Sequence, residues 1–133
     1  MKKLIALAAL AMLSSCAQYA PEAVSTFIPE SAGPPPENYK AIVRAHIERT
    51  YFDPYSLRSV AISAPHKGVS GARSGYWVCV ECNGKNRMGA YAGLKRTGYL
   101  VANGSVVDSA DTAFPCYSEP YNVMQAWPEM EGK

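Results

Sequence analysis

The chain carries little excess charge and has no apolar stretch long enough to cross a membrane as a helix. Its 133 residues include 13 Lys and Arg and 11 Asp and Glu, which gives a formal charge of +2. A nucleic-acid-binding protein needs a basic face that neutralises phosphates, so this balance argues against a nucleic-acid partner. The apolar run at residues 4–12 is much shorter than the roughly 20 residues of a transmembrane helix.

Cysteine and histidine are also scarce, with four and two residues respectively. Cys79 and Cys82 have the spacing of a redox motif, but such a motif opens a helix, whose dipole lowers the thiol pKa. Here both lie in a strand pattern that points them to opposite faces. The sequence has no tight Cys and His cluster of the kind that binds zinc, and no pattern indicates a catalytic Ser-His-Asp or Cys-His pair. We therefore predict no metal, no cofactor and no enzymatic activity.

The first sixteen residues have the pattern of an export signal. Lys2 and Lys3 precede the apolar run, and small residues follow it. The closing Leu-Ser-Ser-Cys at 13–16 resembles a bacterial lipobox. This resemblance implies a lipoprotein signal peptide at residues 1–15, cleavage before Cys16, and acylation of Cys16 with fatty acids such as palmitate. The acyl chains would anchor the protein in a lipid bilayer. The alternative is an ordinary signal peptide in which Cys16 occurs by chance.

Residues 16–36 are predicted to form the lipidated Cys16 and a proline-rich tether. Five prolines lie between positions 17 and 36, and such segments stay extended and solvated. Removal of the two lysines of the signal from the 13 basic residues leaves 11, which balance the 11 acidic ones. Ala17 follows Cys16 where an Asp would favour retention in the inner membrane. By resemblance to envelope sorting rules, this favours the outer membrane of a Gram-negative cell, with the protein facing the periplasm.

Residues 37–51 have the periodicity of an amphipathic helix. Apolar side chains recur there at three- and four-residue spacing and form one stripe. The stripe consists of Tyr39, Ile42, Val43, His46, Ile47 and Thr50. Pro36 and Glu37 suit the first turn, and Asp53-Pro54 ends the helix because the residue before proline avoids the helical region. We expect this stripe to cover one face of a sheet.

After the helix the periodicity becomes that of β-strands. Strands are predicted at residues 57–64, 76–82, 90–101 and 105–109. Asn103-Gly104 fits a two-residue type I′ hairpin turn, because both positions tolerate positive φ. A loop is predicted at 66–74, and an irregular tail from Ala113 closes over the domain with Trp127. The sequence therefore predicts an α+β domain at residues 37–133, with one N-terminal helix packed on a roughly four-stranded antiparallel meander.

Two motifs follow the predicted helix. The first is Asp-Pro-Tyr-Ser at 53–56. The second is Val-Cys-Val at 78–80, then Asn-Gly-Lys-Asn at 83–86 and Gly-Ala-Tyr-Ala-Gly at 89–93. They resemble the Asp-Pro-x-Ser and Val-Cys…Asn-x-Lys-Asn-x-x-Gly-x-Tyr-x-Gly motifs of a family of small, mostly uncharacterised domains in exported bacterial lipoproteins. The chain departs from the family pattern at Gly84, Met88 and the additional Cys82. The resemblance implies a fold rather than a chemistry.

Asn83, Lys85, Asn86 and Tyr91 are the candidate binding residues. Asparagine mimics backbone groups and tolerates left-handed φ, so these residues suit a turn between two strands. The competing interpretation is an exposed polar pocket, with Tyr91 as its aromatic wall, that binds a peptide or glycan. A basic edge on the same hairpin either contacts a ligand or protects an edge strand. Its residues are Lys85, Arg87, Lys95 and Arg96.

A disulfide is expected in a small exported domain. Cys116 can pair with Cys79 or with Cys82, but on a regular strand only one of these two faces it. Cys79 shares a face with Trp77, opposite the face under the helix, and the C-terminal tail can return there. The family resemblance also implies that Cys79 is the usual cysteine. We therefore predict a Cys79–Cys116 disulfide, with Cys82 as a buried free thiol.

The leading functional interpretation is a membrane-anchored lipoprotein of the cell envelope whose domain is a non-enzymatic binding or structural module. Its partner would be an envelope protein or a glycan, met through an exposed aromatic patch on Tyr91, Tyr99 or Trp77. The alternative is an inhibitor or accessory factor of an envelope enzyme or secretion machine, acting through the loop at residues 66–74.

Overall fold

One antiparallel sheet with a short helix on one face makes up the described part of the chain. The computed structural model describes residues 32–111 and 115–132. Cys16, the predicted signal peptide and most of the predicted tether lie outside these residues. Helix α1 spans Tyr39–Thr50. The strands are β1 (Arg58–Ser63), β2 (His66–Ser70), β3 (Arg73–Lys85), β4 (Tyr91–Ala102), β5 (Ser105–Ala110) and β6 (Met124–Ala126). Within the described ranges, no helix is both long and apolar enough to cross a membrane.

The strand order is β5-β4-β3-β1-β6, and β2 also pairs with β3. β1 and β2 lie end to end along the same edge of β3, because residues 58–62 pair with 80–83 and residues 66–70 pair with 73–77. The long strand β3 is therefore the centre of the sheet, and β4 pairs along its other edge over residues 76–85.

Pro65 separates β1 from β2, since proline has no N–H to give to the ladder. Opposite this break, the Cys79 N–H donates to the Ser63 Oγ at 2.8 Å, and both residues are fully buried. The side-chain oxygen of Ser63 thus replaces a strand carbonyl, and the buried N–H of Cys79 keeps a partner.

The predicted four-stranded meander is wrong. Within residues 32–111 and 115–132 the sheet has six strands, and the C-terminal tail returns to place β6 beside β1. The two strands that the sequence did not predict are β2, which lies in the predicted loop at 66–74, and β6, which lies in the tail predicted to be irregular.

Packing from neighbouring strands explains both differences. β2 has no apolar alternation of its own, but Trp77 packs over Gly68, where an added Cβ would lie 2.2 Å from the indole Cδ1. The indole Nε1–H also donates to the Val69 carbonyl at 3.3 Å. β6 has only three residues, and it forms because these residues pair with residues 61–63 of β1.

Helix α1 packs against the sheet through the predicted stripe, over residues 39–50 rather than 37–51. Val43 and Ile47 are fully buried, Tyr39 is half-buried, and Thr50 is exposed. The same core contains sheet residues from β3 and β4, which are Val78, Val80, Cys82, Tyr99 and Val101. Since these residues alternate along their strands, they all face the helix.

The opposite face of the sheet holds the disulfide. Cys79 and Cys116 are joined, and both are fully buried. Cys82 is a buried free cysteine in the core on the helix side. Gly98 lies against the bridge, since a Cβ added there would be 3.1 Å from the Cys116 Sγ and 3.3 Å from the Trp77 ring. The predicted pairing and the strand facing behind it are confirmed.

β4 and β5 are joined by the predicted turn. Asn103 and Gly104 have φ angles of 51° and 77°, and the flanking Ala102 and Ser105 are paired. Two consecutive residues with positive φ define a type I′ turn, so this prediction is confirmed.

The C-terminal tail is held to β1 at a β-bulge. Ser59 has a φ of 52°, and the register between β1 and β3 shifts beside it. There the Val60 N–H donates to the Glu131 Oε1 at 3.1 Å, and the Val60 carbonyl accepts the Trp127 N–H at 2.8 Å. Trp127 is 3% exposed and belongs to the helix-side core, so the tail closes over the domain as predicted.

Candidate functional site

A polar groove lies beside the C-terminal end of α1, where the helix passes over β4 and β5. It consists of two cavities of about 380 Å³ and 160 Å³ that share Tyr51 and Lys95 as lining residues. The larger cavity is also lined by His46, Thr97, Tyr99 and Asp111. The smaller cavity is also lined by Cys82, Lys85, Asn86 and Gly93. We call this surface the Tyr51 groove.

Tyr51 and Tyr99 bring their hydroxyl oxygens to 3.2 Å from each other. Tyr99 is 2% exposed, and Tyr51 is the hydrogen-bond partner of its hydroxyl within the described residues. Because a buried O–H requires an acceptor, Tyr99 donates to Tyr51. The Tyr51 oxygen also accepts a weak hydrogen bond from the Cys82 S–H at 3.9 Å, which leaves the Tyr51 O–H without a strong acceptor within the described residues. Tyr51 therefore presents a poorly satisfied donor to the groove.

Burial keeps the hydroxyl and thiol groups of the groove protonated. It raises the pKa of Tyr51 to about 12 and also raises the pKa of Tyr99 and of the Cys82 thiol. Burial, with a smaller contribution from Arg49, lowers the pKa of His46. The His46 ring meets the Tyr99 ring edge-on, with 5.3 Å between centroids. Near neutral pH the groove thus contains donors and a neutral imidazole, and no ionised nucleophile among these groups.

Lys95 and Asp111 add charge to the larger cavity. The Lys95 Nζ lies 3.0 Å from the Asp111 Oδ2, and the other carboxylate oxygen accepts the Thr97 hydroxyl at 3.2 Å. Thr97 is buried, whereas the side chains of Lys95 and Asp111 are 59% and 64% exposed. Exposed ion pairs of this kind contribute about 0–1 kcal/mol to stability, so the pair is free to exchange partners.

Two of the predicted binding residues build the β3–β4 connection. The Asn86 Oδ1 accepts the N–H groups of Met88 and Ala90 at 3.0 Å and 3.1 Å. The Asn83 Oδ1 accepts the Gly93 N–H at 3.0 Å. The carbonyl oxygens of both amides are therefore used inside the turn, as expected of asparagine in turns, and Asn86 alone of the two also lines the groove.

Tyr91 is also occupied by contacts within the domain. Its hydroxyl donates to the Ser56 carbonyl at 2.9 Å. The Arg58 guanidinium and the Lys85 ammonium lie 4.1 Å and 5.5 Å from its ring centroid. The predicted aromatic patch is not formed by the other two residues, since Tyr99 is 2% and Trp77 is 6% exposed. Their burial follows from strand alternation, which points each of them into a packed layer.

The predicted basic edge is divided between the two faces of the sheet. Lys95 lies in the groove, whereas its neighbour Arg96 points to the opposite face. There the Arg96 guanidinium pairs with Glu81 at 2.6 Å, donates to the Cys116 carbonyl at 3.2 Å, and stacks 4.9 Å from the Tyr117 ring centroid. Arg96 therefore covers the disulfide and is not available to the groove.

The segment at 66–74, predicted as a functional loop, is the β2–β3 hairpin. Its turn is tied to β5, because the Ser70 hydroxyl donates to the Asp108 carboxylate and the Arg73 guanidinium donates to the Val107 carbonyl. These contacts hold the hairpin against the edge of the sheet.

A third cavity, of about 240 Å³, lies between α1 and the C-terminal tail. Three of its four ionic groups are already engaged, because Arg44 bridges to Glu48 at 2.9 Å and Glu131 binds the Val60 N–H, which leaves Glu129. The Tyr51 groove differs in keeping donors that lack good partners, so it is the stronger candidate site.

Tyr51 is not among the predicted binding residues, and Tyr99 is predicted only as a candidate for an exposed aromatic patch. Tyr99 sits at a helix-facing position of β4, and Tyr51 follows the last turn of α1, so both pack in the helix-side core. Lys85 and Asn86 are the predicted residues that the structure brings to the groove.

Comparison with known proteins gives no match to a family model, to a curated protein or to a solved structure. The family resemblance of the two motifs therefore stays a prediction. Within residues 32–111 and 115–132, no three His, Cys, Asp or Glu side chains lie close enough to hold a metal ion.

Proposed function

We propose that this protein is a lipid-anchored component of the Gram-negative cell envelope whose domain acts as a non-enzymatic binding module. The anchor rests on the Leu-Ser-Ser-Cys motif at 13–16 and the proline-rich segment that follows. The Cys79–Cys116 disulfide supports export, because disulfides persist in oxidising compartments such as the periplasm.

The observation that carries the binding function is the poorly satisfied Tyr51 O–H in an open groove. A buried or half-buried donor without a good acceptor is costly in an unliganded protein, and a ligand oxygen would satisfy it. The raised pKa values of Tyr51 and Cys82 support binding rather than catalysis. Both groups stay protonated near neutral pH, where a nucleophile or general base would need to be ionised.

The position of the groove also suits a partner away from the membrane. The chain enters the domain beside the β4–β5 turn, where the Tyr76 hydroxyl donates to the Gly33 carbonyl and Pro34 lies near Asn103. Lys95 lies farther along β4, about 26 Å from that turn at roughly 3.3 Å per residue. The Lys95 end of the groove is therefore well separated along β4 from the entry of the tether.

Replacement of the acylated cysteine tests the anchor. Cys16→Ser should leave an unprocessed precursor or a soluble protein, because no thiol remains to carry the lipid. Membrane fractionation and intact-mass measurement read out both properties. A Cys16→Ser protein that remains in membranes at the normal mature mass would show that acylation is not the anchor.

Site-directed photocrosslinking in intact cells tests the binding module. A photoreactive residue at Ala92, which is exposed and lines the groove, should give a discrete crosslinked product that Tyr51→Phe weakens. The matched control is the same residue at Val69, which is 43% exposed on β2. The same crosslinking pattern at both positions, or one that Tyr51→Phe leaves unchanged, would contradict binding through the groove.

A further inference from the structure

We propose that the Tyr51 groove binds a carboxylate group, such as that of a peptide, and that the Asp111 carboxylate is its internal competitor. This inference rests on the proposed binding function and names the ligand class of the same site. It follows from the chemistry of the lining groups, which are mostly donors, and from the one carboxylate that the groove already holds.

The donors come from both cavities. The Tyr51 oxygen accepts from the Tyr99 O–H and, at 3.9 Å, from the Cys82 S–H, which leaves the Tyr51 O–H as a donor. The carbonyl oxygen of Asn86 is used by the turn, which leaves its amide N–H groups as donors. Lys85 forms no ion pair within the described part of the chain, and its ammonium rests beside the Tyr91 ring. Together with the Lys95 ammonium, the groove therefore has two ammonium groups and two neutral donors. This set of donors suits an anionic ligand with several acceptor oxygens.

Asp111 shows the kind of anion that the groove accepts. One of its carboxylate oxygens accepts a hydrogen bond from the Lys95 ammonium at 3.0 Å, and the other accepts one from the Thr97 hydroxyl at 3.2 Å. An exposed ion pair is weak, so a second carboxylate can displace Asp111 from Lys95. An incoming carboxylate would keep one oxygen on Lys95 and place the other within reach of the Tyr51 O–H, a donor that Asp111 does not contact.

The test uses the full-length protein purified with its anchor in a nonionic detergent. The probes are N-acetyl-alanyl-alanine and its C-terminal amide, which differ only in the carboxylate, and binding is followed by NMR shifts of the protein or by calorimetry. We expect the acid to bind and the amide to bind at least about tenfold more weakly, because a hydrogen bond to a charged group is worth that much.

Substitutions then separate a carboxylate site from general charge attraction. Asp111→Asn should tighten binding of the acid by about two- to fivefold, since it removes the competing anion from Lys95. Tyr51→Phe should weaken it by about tenfold, and Lys85→Gln should weaken it less. Lys67→Gln removes a positive charge from exposed β2 and should leave binding unchanged.

Several outcomes would overturn the proposal. They are equal binding of acid and amide, unchanged or weaker binding in Asp111→Asn, and binding of inorganic phosphate or phosphatidylglycerol vesicles in place of the acid. If Tyr51→Phe disturbs the fold, Asp111→Asn still decides the test, because Asp111→Asn is expected to tighten binding of the acid and a damaged fold would not. Crosslinking at Ala92 without carboxylate binding would refute the ligand class and leave the binding function standing. Carboxylate binding without crosslinking would support the ligand class and contradict a macromolecular partner that contacts Ala92.

Discussion

The disulfide should be one of the largest single contributions to the stability of this small domain. Cys79 and Cys116 are 37 positions apart, and in the chain-entropy model closure of such a loop stabilises the folded state by about 4 kcal/mol at 25 °C. Single domains are stable by only about 5–15 kcal/mol in total. Loss of the bridge should therefore bring the protein close to unfolding.

Urea unfolding measures this contribution directly. With a slope of about 1–2 kcal/mol per molar urea, reduction of the wild type should lower the unfolding midpoint by roughly 2–4 M. The Cys79→Ala/Cys116→Ala double variant should lower it further, because both cysteines are fully buried and their sulfurs also fill space. Its midpoint should not respond to reductant, since it has no bridge to break.

Cys82→Ala is the matched control, because it removes a buried sulfur from the same strand without removing a crosslink. Its midpoint should fall much less than that of the double variant, and it should keep its response to reductant. The reasoning is refuted if reductant leaves the wild-type midpoint unchanged, or if the double variant loses no more stability than two such sulfur deletions would explain.

Four positions give further sharp expectations. Ile47→Ala should lower the free energy of unfolding, measured in urea, by about 2–5 kcal/mol, because the Ile47 side chain is fully buried between α1 and the sheet. Arg44→Ala on the exposed side should cost only a few tenths of a kcal/mol for its pair with Glu48. Gly104→Val should lower the unfolding midpoint, since a β-branched residue resists the φ of 77°. Cys82 should resist iodoacetamide at pH 8 until urea unfolds the domain, because burial raises its pKa and the thiolate is the nucleophile.

Each of these expectations has a clear contrary result. Equal small losses for the two helix variants would show that α1 does not cover the sheet. A Gly104→Val midpoint equal to that of the wild type would rule out the type I′ turn. Alkylation of Cys82 in the native protein at the rate of a free thiol would place it outside the core.

Local patterns in the sequence were sufficient for the helix, the hairpin and the disulfide. The stripe that contains Val43 and Ile47 repeats every three to four residues, so it identifies both the helix and the face that it buries. Asn103-Gly104 predicts the type I′ turn, because few other residue pairs adopt positive φ at both positions. Strand alternation separates Cys79 from Cys82, and the assignment of Cys79 to Cys116 also used the face that Cys79 shares with Trp77 and the family resemblance.

Only the tertiary structure decided the number of strands and the shape of the groove. β2 pairs because Trp77 packs over Gly68, and that packing comes from another strand, so the sequence of β2 carries no sign of it. Tyr51 and Tyr99 are 48 positions apart, and their hydroxyls meet only because α1 lies over β4. A groove made of side chains from separate elements leaves no local pattern, because its geometry is set by how those elements pack and not by the spacing of residues along the chain.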